Sequence, residues 1–131
     1  MADFVRRFLR LEGPAAAVSC ACASSAKVFA QAVRMLDAGL IDAALVGGVD
    51  SLCLTTLYGF HSLQLTSPRP CRPFDAQRDG ISIGEAAAFV VLERADAGAT
   101  AGLSLLGAGE SSDAHHMSSP HPDGLGARIA M

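Results

Sequence analysis

The residue with the clearest chemistry in this sequence is Cys22, in the segment VSCACASSA at residues 18–26. Small residues flank it, and the helical pattern that follows predicts unpaired backbone N–H groups beside its sulfur. Partial positive charge at a helix N-terminus favours thiolate over thiol, and the thiolate is the nucleophile. The segment therefore indicates covalent catalysis through Cys22. It also fits a small buried cysteine at a tight turn, and position alone does not separate the two interpretations.

Two elements are expected to position Cys22. Apolar residues after it follow the i, i+3, i+4, i+7 spacing of a helix, at Ala26, Phe29, Ala30 and Val33. Gly39 supplies the expected end of that helix. Because Ala15–Val18 is typical of a short buried strand, the pattern predicts a strand-to-helix junction at Cys22.

Five blocks of the sequence, in this order, resemble the β-ketoacyl synthases, the condensing enzymes of fatty-acid and polyketide synthesis. They are Ser19–Ser25, Ala43–Asp50, CRPFD at 71–75 with RDG at 78–80, GEAA at 84–87, and SSDAHHMSSP at 111–120. The resemblance covers nearly the whole chain. It implies an α/β protein with the thiolase-like layered α/β/α/β/α fold. It also implies that residues 1–131 are an incomplete, central fragment of a synthase domain, from the end of its N-terminal half to the start of its C-terminal half.

The resemblance further implies a mechanism for the complete enzyme. Cys22 attacks an acyl thioester presented by acyl carrier protein, while its own backbone N–H faces the developing oxyanion. Malonyl carrier protein then loses carbon dioxide and condenses with the acyl group. The two histidines and one lysine that the family uses for this second step are expected downstream, and none of the four histidines here matches their motifs. We therefore expect at most self-acylation from these residues alone.

Other site residues follow from the same resemblance. His116 and Ser118 are expected to face the thioester pocket, and Phe60 to line the acyl channel, although an aromatic residue in an apolar run also fits plain core. Arg69 is expected to dock the acidic carrier protein. No cofactor is expected. A homodimer, or a heterodimer with another synthase, is the expected assembly.

The remaining cysteines and histidines do not predict a metal site. Cys20, Cys22, Cys53 and Cys71 lack paired Cys-x-x-Cys spacing, and nothing suggests the exported context that a disulfide framework needs. Cys20 is interpreted as a packing residue whose proximity to Cys22 allows oxidative cross-reaction. The Asp and His residues of 113–123 follow no metal-ligand spacing, and a polar loop punctuated by prolines explains them.

Composition excludes several classes of protein. Apolar residues make up 50% of the chain and charged residues 18%, with a net charge of −3. Nucleic-acid binding requires a clustered basic face, which is absent from this sequence. The apolar runs are too short for a membrane span, and the N-terminus lacks the apolar segment of a signal peptide. A cytoplasmic location is expected.

The rest of the chain gives a coarse layout. The pattern predicts three further helices, at Phe4–Leu11, at Thr55–Leu63 and from Gly124 onward. It predicts a strand at Ala43–Val46, ended by Gly47 and Gly48, and two buried strands at Ala86–Leu92 and Leu103–Gly107, joined by a turn at Ala95–Gly102. A long ordered loop is predicted at Thr66–Ser82.

Three other interpretations stay open. The chain could be a non-catalytic partner of the chain-length-factor type, although those subunits usually replace the nucleophile that Cys22 retains. It could be a thiolase, whose pattern fits the CRPFD block less well. It could also be a truncated product without independent function.

Overall fold

The computed structural model describes residues 1–95 and 102–131 of the chain. Its elements are α1 (Ala2–Phe8), α2 (Ser24–Asp37), β1 (Ala43–Asp50), α3 (Leu54–Ser62), β2 (Ala86–Glu93) and α4 (Leu125–Ala130). The two strands are hydrogen-bonded neighbours in one sheet. The chain divides into two compact units, one made of Met1–Gly47 and Phe89–Met131, the other of Gly48–Ala88.

The helix predicted after Cys22 forms, and it ends where the sequence predicts. Helix α2 buries Ala30, Ala32 and Leu36. Gly39 adopts a positive φ of 66°, and its N–H donates to the Leu36 carbonyl at 3.0 Å. This left-handed residue after the last turn closes the carbonyl end of the helix, which is why glycine suits the position.

Strand β1 runs through the two glycines that were expected to end it. Gly47 and Gly48 lie inside Ala43–Asp50, so that prediction is wrong. Glycine weakens a strand locally, but pairing with a neighbouring strand outweighs that preference. Val46 is the buried residue of the strand.

The strand predicted at Ala86–Leu92 forms as β2, but its predicted burial is wrong. Phe89, Val90 and Val91 expose 42%, 45% and 64% of their surface. Successive residues of a strand point to opposite faces, so both faces of β2 are open. Among the described residues, only Ala30, Ala32, Leu36 and Val46 form a buried apolar core.

Two short strands expected from the sequence do not form. Neither Ala15–Val18 nor Leu103–Gly107 belongs to a strand, and Leu103 and Leu106 are almost fully exposed. A strand requires a hydrogen-bonded neighbour, and neither segment has one within 1–95 and 102–131. The turn predicted at Ala95–Gly102 falls almost entirely outside the described residues.

The other predicted elements are confirmed within a few residues. Helix α3 starts and ends one residue earlier than the predicted Thr55–Leu63. Helix α1 starts two residues and ends three residues earlier than the predicted Phe4–Leu11. The loop at 66–82 is ordered by internal contacts, including a bridge between Thr66 and Ile81. Among the residues that the structure describes, no helix is both long enough and apolar enough to cross a membrane.

Candidate active site

A tight turn presents Cys22 at the start of α2. The Ala23 N–H donates to the Cys20 carbonyl at 3.0 Å, which closes the turn around Ala21 and Cys22. Ala21 adopts a φ of 46°, a left-handed conformation that is unfavourable for a residue with a Cβ. Helix α2 begins at Ser24, two residues after Cys22, with Ala23 as its N-cap. The chain therefore reverses sharply just before α2, with Cys22 at the bend.

The hydroxyl of Ser24 holds this turn from inside the helix. Its Oγ accepts the Cys20 N–H at 2.7 Å and donates to the Ala21 carbonyl at 2.7 Å. Both bonds join the first residue of α2 to the two residues before Cys22. The first bond pairs the Cys20 N–H, and the second adds to the bond that the Ser24 N–H already donates to the Ala21 carbonyl at 3.1 Å.

Cys22 combines an accessible sulfur with an open amide. Its side chain is a free, exposed thiol. Within residues 1–95 and 102–131 its backbone N–H has no hydrogen-bond acceptor, whereas the N–H groups of Ala26 and Lys27 both donate to the Ala23 carbonyl. A thiol beside an unbonded N–H at a helix start can attack a carbonyl carbon and stabilise the resulting oxyanion.

A charged cluster attaches a distant segment to the helix of Cys22. Glu110 lies 2.5 Å from Lys27 Nζ and also pairs with Arg34, both on α2. Hydrogen bonds hold the pKa of Glu110 below its usual range, and the bond from Lys27 has a larger effect than the bond from Arg34. The segment before the histidine-rich loop is thereby tied to α2. Sequence reasoning missed this cluster because its members are far apart in the chain.

The histidine-rich loop is organised around Asp113. Its carboxylate accepts the backbone N–H groups of His115 and His121, each at 3.0 Å. These two bonds lower the pKa of Asp113, and the bond from His115 has the larger effect. The carboxylate is thus engaged in shaping the loop. Among the described residues, no three His, Cys, Asp or Glu side chains are arranged to hold a metal ion.

The structure brings His116 and Ser118 together on the surface of this loop. The Ser118 N–H donates to His116 Nδ1 at 3.1 Å, and the Ser118 hydroxyl lies 3.3 Å from the same nitrogen. An accepting Nδ1 leaves the ring proton of a neutral imidazole on Nε2. No hydrogen bond in the described part of the chain joins either residue to Cys22.

The two remaining predicted site residues belong to the other compact unit. Phe60 is half-buried on α3. Arg69 donates through Nε and Nη2 to one carboxylate oxygen of Asp79, at 3.0 and 2.5 Å. The hydrogen bond from Arg69, and next that from Ser67, lowers the pKa of Asp79. The charge of Arg69 is therefore shared with a carboxylate rather than free.

Sequence reasoning also missed the hydrogen bonding of a further thiol, Cys53. Cys53 is the N-cap residue of α3, and its sulfur lies 3.1 Å from the Thr56 hydroxyl. The hydrogen bond with the Thr56 side chain, followed by that with the Thr56 backbone, lowers the pKa of the Cys53 thiol. The spacing of Cys53 and Thr56 is that of an N-cap and its third helical residue, a signal visible in the sequence.

Comparison with known proteins finds a matching family model and similar curated proteins. The family model described as β-ketoacyl synthase, N-terminal domain, matches residues 1–97. The chain is 37% identical over 128 residues to nodulation protein E of Rhizobium leguminosarum bv. trifolii, covering 94% of this chain and 32% of that protein. It is 35% identical over 134 residues to 3-oxoacyl-[acyl-carrier-protein] synthase 2 of Rhizobium meliloti, covering 93% and 32%.

Solved structures give the same result for the fold. A β-ketoacyl synthase from Burkholderia phymatum superposes with a TM-score of 0.80 at 33% identity, over 95% of this chain and 33% of that one. The ishigamide ketosynthase/chain length factor superposes with a TM-score of 0.84 at 33% identity, over 98% and 34%. The predicted α/β class and thiolase-like fold are confirmed, and the chain spans about a third of these proteins.

Proposed function

Since this chain belongs to the β-ketoacyl synthase family, we propose that it provides the acyl-accepting part of a 3-oxoacyl-[acyl-carrier-protein] synthase, with Cys22 as nucleophile. The observation that supports this assignment is the geometry at Cys22. An exposed thiol lies at the bend before α2, and the backbone N–H beside it donates to no acceptor among the described residues.

The proposed chemistry is acyl transfer. The Cys22 thiolate attacks the carbonyl carbon of an acyl thioester, and the Cys22 N–H stabilises the oxyanion of the tetrahedral intermediate. Collapse of that intermediate expels the carrier thiolate and leaves the acyl group on the Cys22 sulfur. In the complete synthase, decarboxylative Claisen condensation with a malonyl thioester follows, in fatty-acid or polyketide biosynthesis.

We propose that residues 1–131 are the central part of a larger synthase domain and do not catalyse condensation alone. Two observations support this interpretation. The chain matches about a third of each relative. In addition, β2 exposes apolar side chains on both faces, a pattern typical of a strand that other layers cover in a complete domain.

The proposed partner is acyl carrier protein, as the name of the similar Rhizobium meliloti synthase indicates for that protein. Arg69 is exposed enough to reach an acidic partner while it remains paired with Asp79. His116, Ser118 and Phe60 are proposed to contact the thioester and its acyl chain. A homodimer or a heterodimer with another synthase, and a cytoplasmic location, complete the proposal.

A second candidate is a non-catalytic subunit of the chain-length-factor type. The observation that favours this candidate is that one structural neighbour is named as a ketosynthase/chain length factor. Retention of Cys22 favours the catalytic role, because a subunit without acyl transfer needs no nucleophile there.

The experiment is an acyl-transfer assay with the purified chain and an acyl thioester of acyl carrier protein. Intact mass should show one acyl group added to the chain and absent from Cys22→Ala, whereas Cys71→Ser should still accept it. If wild type and Cys22→Ala gain equal amounts of acyl group, the assignment of Cys22 is wrong. If the chain gains none while its fold is intact, the non-catalytic candidate is favoured instead.

A further inference from the structure

Cys20 is a second thiol in the turn that presents Cys22, and the function proposed above gives it no role. Both sulfurs belong to free, exposed cysteines, with only Ala21 between them. Although Cys20 was interpreted from the sequence as a packing residue, its exposure shows that it is not packed among the described residues.

The backbone spacing of the turn allows a bond between the two sulfurs. The hydrogen bond from Ala23 to the Cys20 carbonyl folds residues 20–23 into a tight turn. Residues two apart in such a turn have α-carbons about 5.5 Å apart, within the range that disulfides adopt. One intervening residue also gives each thiol a high effective concentration at the other.

The Ser24 hydroxyl keeps this arrangement in place. It accepts a hydrogen bond from the Cys20 N–H and donates one to the Ala21 carbonyl. The two bonds therefore hold the backbone on both sides of the peptide bond between Cys20 and Ala21. The two thiols therefore lie on one small, fixed segment rather than on a mobile loop.

We propose that Cys20 and Cys22 form a reversible intramolecular disulfide when a peroxide oxidises Cys22, and that this bond blocks acyl transfer. The Cys22 thiolate attacks one peroxide oxygen, the O–O bond breaks, and after protonation Cys22 carries a sulfenic acid with release of water. The Cys20 thiolate then attacks the Cys22 sulfur, forming the S–S bond and expelling a second water after proton transfer. Two electrons pass from the two sulfurs to hydrogen peroxide. This inference rests on the proposed function only for its consequence, the loss of acyl transfer.

The sequence allows a direct test by mass spectrometry. Trypsin releases residues 11–27, which contain Cys20 and Cys22 alone. Because the Arg69–Pro70 and Arg72–Pro73 bonds resist trypsin, Cys53 and Cys71 remain together on residues 35–78. The reduced chain is treated with hydrogen peroxide, free thiols are blocked with N-ethylmaleimide, and both peptides are weighed.

The expected product is peptide 11–27 lighter by two hydrogen atoms and without N-ethylmaleimide, reversed completely by dithiothreitol. In Cys20→Ser, Cys22 should instead gain oxygen and, once it reaches the sulfinic state, should not be restored by dithiothreitol. Cys53→Ser is the matched control and should behave as wild type on peptide 11–27. Oxygen adducts that accumulate equally in wild type and Cys20→Ser, without the loss of two hydrogens, would overturn the proposal.

Two further outcomes separate this inference from the proposed function. Disulfide formation in a chain that accepts no acyl group would support the thiol pair and refute the acyl-transfer assignment. Acyl transfer at an unchanged rate in the fully oxidised chain would overturn the blocking role of the disulfide.

Discussion

The carboxylate of Glu110 lies 2.5 Å from the ammonium of Lys27, on the helix that begins two residues after Cys22. Arg34 binds the other oxygen of the same carboxylate. This cluster joins helix α2 to the segment that leads into the histidine-rich loop. Its stabilising effect depends on the charge of Glu110.

Replacing Glu110 with Gln should therefore lower stability in a pH-dependent way. The pKa of Glu110 is held down in the folded chain, so its contribution is fully present above the ordinary carboxyl pKa of about 4.3 and is lost as pH falls through the lower folded value. The midpoint of thermal unfolding should differ between wild type and Glu110→Gln at neutral pH, and the difference should vanish in acid. A difference that persists unchanged in acid would contradict the role of the charge.

The Ser24 hydroxyl should contribute measurably to stability through the turn. Ser24→Ala removes two hydrogen bonds to the backbone around Ala21 and should cost about 1 kcal/mol of unfolding free energy, measured by urea denaturation. Ser25→Ala is the matched control, because no hydrogen bond of the Ser25 hydroxyl is seen among the described residues. Equal losses in the two variants would show that the turn does not depend on Ser24.

The pairing of Asp79 with Arg69 should weaken the affinity of the chain for acyl carrier protein. Arg69→Ala should weaken the affinity for acyl carrier protein, and Asp79→Asn should strengthen it, because it leaves the guanidinium charge unpaired. Each change should be about two- to fivefold and should shrink as salt is added. Titration calorimetry at two ionic strengths measures this effect. If Asp79→Asn weakens binding as much as Arg69→Ala, the pair acts as a structural unit rather than as a docking charge.

Gly80 should tolerate no side chain. Its φ is 129°, and an added Cβ would lie 2.6 Å from the Leu65 carbonyl oxygen. Gly80→Ala should therefore cost roughly 2–3 kcal/mol in urea unfolding. Gly59→Ala, in helix α3 with open space around it, should instead stabilise the chain by about 0.5–1 kcal/mol. A similar effect at both positions would contradict the close approach.

Local features of the sequence predicted local structure well. Helix α2 and its end at Gly39 follow from apolar spacing and from the backbone freedom of one glycine, both readable over a few residues. The position of Cys22 at the helix start follows in the same way. The fold family followed from five ordered blocks, which no single spacing could have supplied.

Features that depend on distant partners could not be predicted in this way. Gly47 and Gly48 stay in strand β1 because a strand that follows much later pairs with it, and Leu103–Gly107 forms no strand because the described residues offer it no neighbour. The link between Glu110 and Lys27 joins positions far apart in the sequence. By contrast, the two Ser24 bonds reach only three and four residues along the chain, and a polar side chain at a helix start could have indicated them.

The central claim is that Cys22, rather than Cys53, accepts the acyl group. The most direct measurement is to digest the chain with trypsin after exposure to an acyl thioester of acyl carrier protein and to locate the added mass. We predict the acyl group on residues 11–27, retained in Cys20→Ser and lost in Cys22→Ala. An acyl group on residues 35–78 that disappears in Cys53→Ser would contradict the account.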